Sequence, residues 1–246
     1  MSRVQFPITL VDSQTIADSV KHFTFVRADN QPFPFIPGQF VNLHFKVGDE
    51  MLQRSYSIAT IATEPGPQIE LALSHVSNGK ASGYLFNMKV GDAIEASGPF
   101  GRLILRDDEK PKRYILVATG TGVTPYRAML AALEKRMKED GCEVIVLLGA
   151  RTSPELLYQA EFLNFMQQHP QFKFYGCCSR KTENELQAHQ RHGYVQEMFA
   201  ELELAPNDDI VYLCGNPHMV DDAYKLLIDI GFDKQNVRRE KYVFSH

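Results

Sequence analysis

The chain has 246 residues, 44% hydrophobic and 23% charged, with a formal net charge of −4 and a sequence pI near 6.1. That is an ordinary globular composition, enough for one large or two modest domains, and its acidic balance argues against nucleic-acid binding as the main task. Four cysteines without a C-x-x-C pair, no signal-peptide run and apolar runs far shorter than a bilayer argue against iron–sulfur clusters, disulfide scaffolds, metal sites and membrane spans, so a cytoplasmic protein is expected.

In chain order, residues 4–11 and 22–26 read as strands, and 29–37 is a Pro-rich turn region. Residues 38–45 and 52–59 alternate as strands on either side of a turn at 48–50, and 69–76 is another strand. A polar stretch, 78–83, leads into a short helix at 84–88, and 93–97 is again strand. Short strands at regular spacing predict a small antiparallel β-barrel over 1–106. A charged stretch at 107–113 marks the expected boundary. Beyond it, apolar strands at 114–118, 143–148, 172–177 and 209–214 alternate with helical segments at 126–139, 154–169, 194–202 and 217–230, before a last segment at 237–244. This pattern predicts a doubly wound α/β domain with a parallel sheet over 107–246. Residues 1–106 carry nine basic and nine acidic side chains, which leaves the whole −4 on the remainder, so an acidic partner would favour the first half.

Several stretches carry candidate chemistry. Arg54-Ser55-Tyr56-Ser57 sets a cation and an aromatic ring on one face of a strand and hydroxyls on the other, a combination suited to a phosphate beside a flat ring. Gly120-Thr121-Gly122-Val123-Thr124-Pro125 lies between an apolar strand and a helix, where glycines admit a ligand to the backbone and the helix N-terminus favours anions. The third glycine of the dinucleotide fingerprint is absent. Gly149-Ala150-Arg151 ends the next strand with an arginine where a ribose-binding acid is usual for NAD; it either meets a pyrophosphate or is solvated. Cys178-Ser179-Arg180, followed by Arg191 and Tyr194, offers a hydroxyl, two guanidinium groups and an aromatic face for a 2′-phosphate and its base. Cys214-Gly215-Asn216-Pro217 closes the fourth strand.

Taken in this order, the segments resemble the ferredoxin–NADP reductase family over nearly the whole chain, with Arg54–Ser57 as the flavin motif, Gly79-Lys80-Ala81-Ser82 as the flavin pyrophosphate loop and Ser97-Gly98-Pro99-Phe100-Gly101 as the barrel end. The resemblance implies FAD and NADP(H) as cofactors, hydride exchange between them, and single-electron exchange with a ferredoxin or flavodoxin, by a two-domain monomer. It implies that Arg54, Ser55, Tyr56 and Ser57 hold FAD, that Lys80, Ala81 and Ser82 cap its pyrophosphate, and that Ala72 touches it through backbone. Thr124 would lie where nicotinamide meets flavin. Gly120, Gly122, Ala150 and Arg151 would bind NADP, Arg151 at its pyrophosphate, with Ser179, Arg180 and Arg191 at the 2′-phosphate and Asp222 at a place some bacterial members use for NADP. Ser57, Cys214 and Glu240 are the candidates for tuning hydride transfer. An aromatic residue should cover the second flavin face, and four residues beyond Tyr242 leave the choice open between Tyr242 and Phe244. The alternatives are an NAD(P)H-dependent flavin reductase, the reductase component of an oxygenase system, and a flavin-binding subunit without turnover of its own.

Overall fold

Alternating burial folds the first part of the chain into strands. In the computed structural model, which describes residues 5–61, 63–182 and 185–243, β1 (Gln5–Ala17), β2 (Val20–Arg27), β3 (Phe40–Val47), β4 (Glu50–Ser57), β5 (Gln68–Ser74) and β6 (Ala93–Phe100) form one sheet in the order β4-β3-β6-β1-β2-β5. Every pairing is antiparallel. The two edges meet where Ile58 bridges Leu71 and the Ala59 N–H donates to the Glu70 carbonyl at 2.7 Å, which closes the barrel. Ile8, Leu10, Phe23, Phe25, Val41, Leu43, Ile69 and Leu71 fill its interior. Each large apolar side chain buried there contributes about 1.5–3 kcal/mol. Helix α1 (Lys80–Asn87) adds Ala81 and Leu85 to the same core.

The second part forms a parallel sheet from β7 (Arg113–Thr119), β8 (Glu143–Ala150), β9 (Phe172–Cys178), β10 (Gln190–His192), β11 (Asp209–Gly215) and β12 (Val237–Lys241), in the order β10-β9-β8-β7-β11-β12. The five residues Tyr114 to Ala118 in β7, the run 144–148 in β8 and all of β11 are buried, as strands covered on both faces require. The chain steps outward from β7 to β10, then returns to the other side of β7 as β11. The carboxyl ends of β7 and β11 therefore flank the topological switch, where open α/β sheets bind ligands. A 3-10 turn (Gly120–Val123), α2 (Thr124–Ala128) and α3 (Leu130–Asp140) follow β7; α4 (Gln159–Gln168), α5 (Met198–Glu201) and α6 (Pro217–Asp229) complete the helices. No helix among the described residues is long and apolar enough to cross a membrane.

The chain divides into two compact units. One runs to Leu105 and takes in Thr124–Ala131; the other holds Arg106–Val123 and Ala132–Val243. The start of the second unit is held by a buried charge network. The Glu109 carboxylate accepts from Tyr212 Oη at 2.7 Å, Arg238 Nη2 at 2.8 Å and the Arg106 N–H at 3.1 Å, while Arg136 donates to the carbonyls of Arg106 and Glu109. Burial, reinforced by the nearby Glu109 carboxylate, pushes the Tyr212 phenol well above its ordinary value.

Several expected elements have different limits. Strand β1 runs on to Ala17 because register shifts between Leu10 and Asp12 and between Thr15 and Ala17 let a polar stretch keep pairing with β2. The helix expected at 84–88 begins four residues earlier, so Lys80, Ala81 and Ser82 form its first turn rather than a preceding loop. The helix expected at 126–139 is split at Met129, with its first piece starting at Thr124. The helix expected at 154–169 exists only over α4, because Leu156 is extended and Tyr158 takes a left-handed φ of 56°. The segment 194–202 makes a 3-10 turn and the single-turn α5. Strand β10 is too short to leave a periodic signal. The last strand stops at Lys241, and Phe244 lies outside the described residues.

Candidate functional site

On β4, Arg54 and Tyr56 stand opposite the buried Leu43 and Val41, and cross-strand partners share a face. Arg54 is half-buried and donates from Nη1 to the Gln53 carbonyl at 2.8 Å. Tyr56 packs its ring against the barrel core; burial pushes its phenol up to about 12 against the opposing pull of Arg54, so the hydroxyl stays neutral. On the other face Ser55 donates to Asn42 Oδ1 at 2.6 Å, and Ser57 is buried where β4 reaches the closing bridge. Beside them His44 Nε2 and Ser97 Oγ form a hydrogen bond of 2.8 Å.

Helix α1 carries no side-chain N-cap and no acidic residue in its first turn, and Gly79 before it is extended. Its first N–H groups are therefore open to an anion. The Ser82 hydroxyl is already committed to the Val76 N–H and to the carbonyls of Val76 and Gly79, so the uncommitted donors of this first turn are backbone N–H groups of Lys80, Ala81 and Ser82. Lys80 Nζ pairs with Glu50 Oε2 at 2.8 Å on the open surface, and that contact holds the Glu50 carboxyl below its ordinary value. Ala72 is buried in β5 opposite His22.

Thr124 opens α2 with a hydroxyl that is fully buried and has no hydrogen-bond partner among the described residues. A buried orphan hydroxyl is costly and asks for a ligand. Three residues later Arg127 reaches the Ala59 carbonyl and Glu70 Oε2, both at 2.6 Å.

At the switch between β7 and β11 the backbones approach so closely that only glycine fits. A Cβ on Gly122 would fall within the Cys214 carbonyl and lie 2.7 Å from Gly215 Cα; one on Gly215, whose φ is +123°, would lie 2.6 Å from the Thr119 carbonyl. At Gly120, by contrast, nothing lies within 4 Å of a Cβ. Thr119 Oγ1 accepts the Asn216 N–H at 3.0 Å, and Asn216 Oδ1 caps α6 by accepting from His218 and Met219. The Cys214 thiol is fully buried. Burial and then the neighbouring Glu240 raise it well above its ordinary value, opposed by a side-chain hydrogen bond with Tyr242. It stays protonated and is no base. Half-buried Glu240 pairs in register with Cys214, and the Tyr242 N–H donates to the Gly215 carbonyl at 2.8 Å.

Along the sheet edge, the Ala150 carbonyl accepts from the Ser179 N–H at 3.1 Å and from its hydroxyl at 3.4 Å, and the Arg151 carbonyl accepts the Arg180 N–H at 2.9 Å. The loops after β8 and β9 are thereby tied together. Both arginine side chains are exposed, and neither guanidinium has an ion-pair or hydrogen-bond partner among the described residues. Arg191 differs. Its guanidinium contacts Glu201 Oε1 at 3.4 Å and the carbonyls of Ala188 and Gln190, and lies 5.0 Å from the Tyr175 ring centre. Tyr194 is exposed, and Asp222 sits on the exposed face of α6 beside Asp221, which binds Lys241. Thr119 and Arg127 were not singled out from the sequence; the only signal for either is its place beside the glycine loop.

Residues 7–104 match the model of the oxidoreductase FAD-binding domain and residues 116–225 that of the oxidoreductase NAD-binding domain. Over 244 residues the chain is 32% identical to ferredoxin–NADP reductase B of Sorangium cellulosum, covering 96% of this chain and 97% of that one. It is 27% identical to the toluate 1,2-dioxygenase electron transfer component of Pseudomonas putida, covering 96% of this chain but 65% of the longer relative. A crystal structure of a ferredoxin NADP+ reductase from Neisseria gonorrhoeae, with bound FAD and NADP, shares the fold at a TM-score of 0.83 and 19% identity, with 96% of this chain and 98% of that one covered.

Proposed function

The chain belongs to the ferredoxin–NADP reductase family and is an FAD- and NAD(P)-binding oxidoreductase; from that premise we propose that it passes electrons between NADPH and a small one-electron carrier, a ferredoxin or flavodoxin. FAD, when bound, supplies the exchange between a two-electron hydride and single electrons. Residues 1–106 hold FAD and 107–246 the coenzyme. The observation that carries the reading is Thr124, whose buried and unpartnered hydroxyl directly follows the glycine loop.

In this assignment Arg54 supplies a fixed cation for the FAD pyrophosphate and the open N–H groups of α1 cap it. Tyr56 offers a neutral aromatic edge, Ser57 a hydroxyl, and Ala72 a side chain small enough for the flavin to reach backbone. Gly120 leaves room for the nicotinamide side and Gly122 lets the loop close onto the Cys214–Gly215 backbone, with Cys214 as a neutral thiol that keeps water out and Glu240 as the nearby carboxylate. Arg151 meets the coenzyme pyrophosphate; Ser179 and Arg180 bind the 2′-phosphate, with Tyr194 against the base. Arg191, already engaged by Glu201, supports that loop from behind. Asp222 lines the outer side. The aromatic cover of the flavin falls to Tyr242 or Phe244, the second of which lies outside the described residues.

A carrier of acidic character would meet the barrel through exposed cations. On or near the barrel, Lys80, Lys110 and Lys112 are paired with Glu50, Asp140 and Asp208, which leaves Lys89, Arg102 and Arg106 as the stronger contacts. Free, buried cysteines support a reducing cytoplasm as its compartment. The similarity to the toluate dioxygenase component favours one second reading, service to an oxygenase through a separate carrier.

The test is anaerobic. Purified protein should carry FAD, its absorbance should bleach within seconds of adding NADPH, and it should recover on adding ferredoxin or flavodoxin. Colourless protein that turns over only with added flavin would replace this reading by a flavin reductase; no bleaching would leave a flavin-binding subunit.

A further inference from the structure

The segment Thr124–Ala131 follows the glycine loop, yet it packs with the antiparallel barrel. Two contacts explain this. Met129 occupies the space above Gly38, whose Cβ would lie 2.6 Å from Met129 Cε and which takes a φ of +101°. Arg127 grips the seam where the barrel closes. Its Nη1 donates to the Ala59 carbonyl and to Glu70 Oε2, and the two charged side chains are 13% and 16% exposed. Glu70 is itself tied to the other side of the seam: its carbonyl accepts the Ala59 N–H, and its N–H donates to Thr60 Oγ1 at 2.8 Å. His22 Nε2 stands 3.6 Å from the same carboxylate oxygen. Ala59 lies two residues after Ser57, and Arg127 three after Thr124.

We propose that Arg127, acting through Glu70 and the Ala59 carbonyl, is a positioning residue that holds Thr124 in register with Ser57 for transfer between nicotinamide and flavin. The inference rests on the oxidoreductase reading above. Its physical basis is that the guanidinium bonds the backbone two residues from one proposed flavin contact while standing on the same helix as the other. A partly buried carboxylate and the carbonyl of the residue after the closing bridge are satisfied by one rigid group, so neither segment can shift without breaking a charged hydrogen bond. Displacements near 1 Å at such a place slow a reaction by about a hundredfold.

Stopped-flow reduction of the FAD-loaded enzyme by NADPH reads this directly. Arg127→Leu should lower the single-turnover rate by about tenfold or more while FAD content and NADP+ affinity stay within about twofold, because the lost contact touches neither ligand. Arg127→Lys should recover part of the rate. Glu70→Gln should fall between wild type and Arg127→Leu, and adding it to Arg127→Leu should cost little more, since both act through one contact. A wild-type rate in Arg127→Leu, or a slow rate matched by lost FAD, overturns the inference. If Arg127→Leu does not fold, wild-type rates in both Arg127→Lys and Glu70→Gln overturn it instead. Wild-type protein that NADPH fails to bleach sinks the oxidoreductase reading and this inference with it; bleaching with an unaffected Arg127→Leu sinks the inference alone.

Discussion

Replacing Arg180 by alanine separates the two nicotinamide coenzymes. The Arg180 N–H is bonded to the Arg151 carbonyl, and Ser179 is bonded to that of Ala150, so the loop keeps its backbone ties without the side chain. The substitution therefore removes a guanidinium and little else. A hydrogen bond to a charged group contributes about 1.5–3 kcal/mol. Arg180 is exposed, where water and salt compete, so the low end applies, near 1.5 kcal/mol, or about tenfold in affinity. Single-turnover reduction at varied coenzyme concentration should show an NADPH dissociation constant raised about tenfold and an NADH value within about twofold. The NADPH effect should shrink as salt rises, because a phosphate contact on an open surface is screened. Arg151→Ala is the internal comparison: a pyrophosphate is common to both coenzymes, so it should weaken both alike. Equal losses with NADPH and NADH in Arg180→Ala would refute the 2′-phosphate assignment.

Two further substitutions probe the scaffold. Gly122→Ala drives a methyl group into the backbone of Cys214 and Gly215, which cannot rotate away; overpacking of this kind costs about 1–3 kcal/mol or more, and NADPH-dependent bleaching should fall sharply while FAD remains bound to the barrel. Unchanged bleaching would mean that the crevice between β7 and β11 is not used. Arg238→Met removes one partner of the buried Glu109 carboxylate while keeping the stem; loss of a buried ion-pair partner costs about 3–5 kcal/mol, here toward the lower figure because Tyr212 and the Arg106 N–H still donate. Denaturant unfolding followed by far-UV circular dichroism checks it, and a change below about 1 kcal/mol would show that the network does not hold the start of the parallel-sheet unit.

Alternation and periodicity expose the elements that bury one face or both. Strands β3, β5 and β6 and the apolar β7, β8 and β11 lie close to their expected positions, because each is defined by its nearest neighbours in sequence. The misses are elements held by distant contacts. Polar β1 keeps pairing past Val11 through its partner β2, and the three-residue β10 exists only against β9. Tyr158 breaks a helical pattern that the sequence carries without interruption.

The same division runs through the site. The barrel and the parallel-sheet unit, their order, the glycine loop and the basic stretch after β9 are legible as local chemistry, glycines where backbones turn and arginines where strands end, while the nucleotides they serve come from the family resemblance. Which side chains remain available could only emerge from the folded chain. Arg180 and Arg191 look alike in sequence, but among the described residues the Arg180 guanidinium has no partner while that of Arg191 is held by Glu201. Lys80, Lys110 and Lys112 look like free cations and are paired. Arg127, unremarkable on its helix, meets a carboxylate 57 positions away. A side chain's availability depends on partners brought close by chain closure, and no local pattern encodes them.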